Sequence, residues 1–136
     1  MRGKSFIRLL TGTALAALMA FGSSAAFSKT NTYQNGKFTD VSEKSWYAEE
    51  VASAYELGFM NGVSDTLYSP DGKVTVAQGI TMASRVHASY NGKQIESTSG
   101  EWYDMYVKYA LANGIIKEGQ FDSYTRPIQR YEMAVL

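Results

Sequence analysis

One block of this chain is written twice, 56 positions apart. Trp46 and Trp102, Tyr47 and Tyr103, Val51 and Val107, Ala54 and Ala110, and Gly58 and Gly114 coincide at that spacing, and Tyr55 aligns with Leu111. Six correspondences at one offset define an internal repeat. A repeat unit of this size cannot bury its apolar face alone and covers it by stacking on a neighbour.

Within the first copy, Tyr47, Val51, Ala54, Tyr55 and Gly58 trace one face of a helix. Ser42 or Ser45 offers an N-cap, Glu49 and Glu50 stand early in the helix, and Gly58 is placed to stop it. Asn61-Gly62, Ser64-Asp65 and Ser69-Pro70-Asp71-Gly72 form a turn-rich connector. Thr75-Val76-Ala77-Gln78 then has the spacing of a capping box, with Gln78 as the capping partner. Ile80, Ala83, Val86, His87 and Tyr90 are predicted as the buried face of this second helix, which Asn91-Gly92 closes. The second copy has a shorter connector, so Val74 aligns with Ile128 and Gln78 with Glu132. There Pro127 presets the backbone for a helix start, and Glu132 falls in the first turn, where a carboxylate is favoured. The predicted units are a linker over 29–37, a first repeat over 38–95 and a second over 96–136.

Residues 1–28 follow a secretory pattern: a basic start with Arg2, Lys4 and Arg8, an uncharged stretch from Leu9 to Phe21, then small residues. Cleavage is expected after Ala26 or Ser28, the latter preferred. The apolar stretch is short for a membrane span, which takes roughly 20 apolar residues. Removing this segment leaves 10 basic residues against 13 acidic ones, a net charge near −3. With no basic patch, a nucleic-acid partner is not expected, nor a membrane partner after cleavage. The chain has no cysteine, so neither disulfides nor thiolate metal sites contribute. Ten tyrosines and two tryptophans supply amphipathic surface suited to packing and to carbohydrate.

The order Phe38-x-Asp40-Val41, Trp46-Tyr47, Ala54-x-x-x-Gly58-Phe59-Met60-x-Gly62, Tyr68-x-Pro70 and Val74-Thr75 resembles an S-layer homology (SLH) domain. Ile128-Gln129-Arg130-Tyr131-Glu132 is similar to that family's Ile-Thr-Arg-Ala-Glu signature. The resemblance spans residues 38–136. It implies a mostly α fold of tandem helix–loop–helix repeats, usually three in a three-pronged pseudo-trimer, here incomplete. It implies a bacterial surface-anchoring function through secondary cell-wall polysaccharide, often pyruvylated, with no cofactor. Three departures stand out. Val76 and Gln78 occupy the first copy's Arg and Glu positions, the second copy lacks the Phe-x-Asp-Val opening, and the final helix has barely begun at Leu136. The last of these suggests a truncated second repeat, open to self-association.

For an acidic sugar, Arg130 offers a planar fork for a carboxylate, with Glu132 beside it. Trp46 and Trp102 offer rings for a sugar face, and Asp40 an acceptor for hydroxyls. Competing roles are a surface ion pair for Arg130 and Glu132, packing anchors for the tryptophans and a turn cap for Asp40. His87 has no second histidine beside it to hold a metal. Two other classes compete with a wall anchor, a targeting segment of a secreted wall hydrolase and a protein–protein adhesion module. No nucleophile elbow, histidine pair or cysteine supports catalysis, so no catalytic residue is expected.

Overall fold

The computed structural model describes residues 27–136, and all but the last two positions of the expected signal segment lie outside them. Four helices follow in order: α1 (Ala48–Glu56), α2 (Val76–Tyr90), α3 (Asp104–Ala112) and α4 (Arg130–Met133). The described residues form no sheet, only an isolated antiparallel bridge between Thr75 and Pro127. The mostly α fold is as expected.

The repeat is visible in three dimensions. α1 and α3 start at equivalent positions, directly after Tyr47 and Tyr103, and neither uses a side-chain cap. Ser42 and Ser45 therefore do not cap α1. In each copy the tryptophan ring stands edge-on to the following tyrosine, with centroids 5.5 and 5.4 Å apart. Val51, Val107 and Ala110 are buried as the periodicity predicts, whereas Leu111 is exposed. Tyr106, outside the predicted stripe, is buried instead.

α2 starts as predicted. The Thr75 hydroxyl accepts from the Gln78 amide at 3.3 Å, and the Gln78 side chain accepts from the Thr75 amide at 2.9 Å. Its buried face is rotated from the predicted one. Of the five predicted residues only Ile80 is fully buried, while Val86 and Tyr90 are exposed. The buried set is Val76, Ala77, Gly79, Ile80, Thr81, Ser84 and Ala88. Small side chains let two neighbours approach closely at once, which a purely hydrophobic reading of the helix underweights. On one side Ser84 donates to the Tyr106 carbonyl of α3 at 3.2 Å. On the other, a Cβ on Gly79 would lie 3.0 Å from Ile128 and 3.2 Å from Met133.

The two repeats therefore interlock. Val76 donates its amide to the Arg126 carbonyl at 3.0 Å, Ala77 to Tyr124 at 2.8 Å, and Ile128 to Val74 at 2.9 Å. The larger core joins Val76 and Ile80 of the first repeat to Tyr106, Val107, Ala110, Ile116 and Phe121 of the second. A smaller core sits under α1, where Phe38, Val41 and Val51 meet Tyr33, Tyr55 and Tyr68. Residues 29–37, expected as a linker, are tied to α1: the amides of Thr30 and Asn31 both donate to the Glu56 carbonyl, at 2.7 and 3.0 Å. These bonds satisfy a carbonyl that the helix end leaves without an intrahelical partner.

Candidate functional site

The predicted ligand residues do not converge. Arg130 opens α4 and is exposed, without an ion pair among the described residues. Glu132 is buried and already occupied. Its two oxygens accept from Nη1 and Nη2 of Arg126 at 2.8 and 2.7 Å, and one also accepts from the Gln129 amide at 2.8 Å. Arg126 further donates from Nε to Asp122 at 2.7 Å. The Arg126 guanidinium, followed by the Gln129 amide, holds the Glu132 carboxyl down at about 2. Glu132 is therefore a fold-stabilising carboxylate, paired with Arg126 and not with Arg130.

Asp40 has a similar role. Its carboxylate accepts from the Tyr68 amide at 2.9 Å and the Ser69 amide at 2.7 Å, pinning the connector to the start of the repeat. The Tyr68 amide is the main cause that holds this carboxyl below the usual range. Neither tryptophan is a packing anchor, since Trp46 is 87% and Trp102 56% exposed.

Of the predicted residues, Trp102 alone lines a cleft. The cleft encloses about 530 Å³ between the first repeat's connector, α2 and the start of the second repeat. The connector wall, including Asn61, Gly62 and Lys73, faces a stripe of α2 made of Gln78, Thr81, Met82 and Arg85. That i, i+3, i+4, i+7 spacing puts the four on one side of the helix, next to the face packed on α3. Two cationic side chains, Lys73 and Arg85, line the cleft, and no carboxylate does. Sequence reasoning missed Lys73 and Arg85. The available signal was the mixed polar stripe on α2, which a search for apolar periodicity passes over.

Gly62 shapes this wall. Its φ is +84°, and an added Cβ would lie 2.5 Å from the Leu67 carbonyl oxygen and 2.7 Å from the Phe38 ring. Only glycine permits that approach without strain. In the cleft wall, the Tyr68 hydroxyl reaches the Met60 sulfur at 3.1 Å. Burial raises the Tyr68 hydroxyl above its ordinary value. No group of three or more histidine or acidic side chains placed to hold a metal occurs among the described residues. No helix among them is long and apolar enough to cross a membrane.

Comparison with known proteins adds to this geometry. The S-layer homology domain profile matches residues 37–78, which run from Lys37 through the connector to the α2 capping box. The chain is also similar to the Surface-layer 125 kDa protein of Lysinibacillus sphaericus, 29% identical over 109 residues. That alignment covers 73% of this chain and 9% of the relative. No solved structure matches.

Proposed function

We propose that this chain, which matches the S-layer homology domain family over residues 37–78 and is similar to a surface-layer protein, is a cell-surface anchoring module that binds secondary cell-wall polysaccharide non-covalently in the cleft that ends at Trp102. The supporting observation is the composition of that cleft. An exposed indole, two cations and the polar groups of Asn61, Gln78 and Thr81 stand together with no acid opposing them. An indole covers the apolar face of a sugar ring. The cations favour a polymer with carboxylates, such as pyruvyl ketals. Amide and hydroxyl side chains serve sugar hydroxyls as donors and acceptors.

The module works by holding its ligand and carries out no chemical step. Arg130 and Trp46, both exposed, give the chain further contacts for a long polymer outside the cleft. Asp40 and Glu132 act indirectly, by holding the connector and the start of α4 in place. Exported to the bacterial surface, the protein is retained on the wall.

The deciding experiment is sedimentation of the purified chain with bacterial walls before and after extraction of their polysaccharide. Binding to intact walls that is lost on extraction, and weakened about tenfold or more by Trp102→Ala, is the expected result. Equal binding to extracted walls overturns the polysaccharide reading and favours a protein receptor.

A further inference from the structure

Resting on the polysaccharide reading above, we propose that Arg85 selects an anionic ligand in the cleft and that Tyr106 is the positioning residue presenting its guanidinium. Three arginines lie among the described residues. Arg126 is neutralised by Asp122 and Glu132, and Arg130 is exposed at the start of α4. Arg85 alone lines the cleft. It is half-buried, and no carboxylate pairs with it among the described residues.

Its placement comes from the other repeat. Nε and Nη2 both donate to the Tyr106 hydroxyl, at 3.2 and 2.8 Å, and Nη1 donates to the Phe59 carbonyl at 3.4 Å. The guanidinium carbon also stands 5.1 Å from the centre of the Tyr106 ring. Tyr106 is buried in the larger core, so its hydroxyl is a fixed reference point. A guanidinium carries five N–H donors. These contacts use three and leave one on each Nη nitrogen. Two such donors suit a carboxylate better than a hydroxyl, and the pairing is directional as well as charged. A half-buried cation without a protein counter-ion lacks the partner that buried charges ordinarily have. A ligand carboxylate supplies that partner, and Lys73 adds a second positive charge along the same cleft.

The assay measures binding of the full chain to purified wall polysaccharide bearing pyruvyl ketals, and to the same polymer after mild acid has removed them. Wild type is expected to prefer the acidic polymer. Arg85→Gln should lower affinity for that polymer roughly ten- to hundredfold while scarcely changing binding to the stripped one, so the preference disappears. Arg85→Lys should recover only part, because an ammonium makes no fork. Tyr106→Phe keeps the ring and the core packing and should reduce the preference without abolishing binding. Lys108→Gln, an equal charge change on α3 outside the cleft, should leave the preference as in wild type. A fall of equal size on both polymers with Arg85→Gln, or an unchanged preference, overturns the proposal while leaving polysaccharide binding in place. Failure of wild type to bind either polymer overturns the polysaccharide reading itself, and the role of Arg85 with it.

Discussion

Arg126 and Glu132 grip each other through two contacts of 2.8 and 2.7 Å across the turn that starts α4. The same guanidinium reaches Asp122 at 2.7 Å. One arginine thus ties the end of the second connector to the first turn of the helix after it. The Gln129 amide, which also donates to Glu132, adds a helix-start contact to the ion pair.

The pair predicts an acid-sensitive fold. The Glu132 carboxyl titrates near 4.5 when unperturbed and at about 2 here, so the unfolded chain takes up its proton first as pH falls. Its stabilising contribution is therefore complete above about pH 4.5 and declines through the window down to about pH 2. Thermal melts followed by circular dichroism from pH 7 to pH 2 should show the midpoint dropping across that window. Glu132→Gln should lower the midpoint at pH 7 and flatten that part of the curve. An acid limb equally steep in the variant would assign the effect to other carboxylates, Asp122 and Asp40 among them.

Val76 carries a prediction opposite to the one its sequence position suggests. It stands where the family signature has arginine, so its truncation is expected to matter little for ligand binding. In the structure it is fully buried between the two repeats. Val76→Ala should destabilise the protein by roughly 2 kcal/mol through lost burial and the cavity left behind. Urea titration gives the value, and a midpoint matching wild type would place the larger core elsewhere.

Two glycines with similar backbone angles should differ sharply. Gly62 and Gly114 have φ of +84° and +70°. A Cβ on Gly62 collides with the Leu67 carbonyl and the Phe38 ring, whereas one on Gly114 meets nothing within 4 Å. Gly114→Ala should cost about 1 kcal/mol of left-handed strain. Gly62→Ala should cost clearly more, about 3 kcal/mol, and should also weaken wall binding by deforming the cleft. Equal losses for the two would mean that the connector yields easily.

Asp40 should reveal itself through exchange rates. Its carboxylate shields the Tyr68 and Ser69 amides. Asp40→Ala should speed hydrogen exchange at those two positions while leaving the α3 amides slow. Asp40→Asn should protect partly, since one acceptor oxygen remains. Unchanged exchange in the alanine variant would remove Asp40 from the connector's support.

Much of the fold was legible in the sequence, because repetition and capping are local signals. The α2 start, the turn at Gly58 and the buried Val51 and Val107 follow from residue type and spacing. The site was less legible. Arg85 becomes notable only beside Tyr106, a contact that crosses from one repeat to the next. Glu132 was readable as a helix-start carboxylate, but its partner lies six residues back in the loop, not two residues away at Arg130. Spacing locates a side chain on its own helix and says little about which distant charge it meets.

The pairing of Val74, Val76 and Ala77 with Tyr124, Arg126 and Ile128 also bears on how the chain folds. The amides of Val76 and Ala77 belong to the first turn of α2 and lie within a buried stretch, yet their acceptors lie beyond α3. Two repeats of this kind are not independent beads that each mature as they emerge. During synthesis or export from the N-terminus, the first repeat waits with an unfinished helix start until the second connector arrives. The two copies then fold as one cooperative step, across a long sequence separation that slows loop closure.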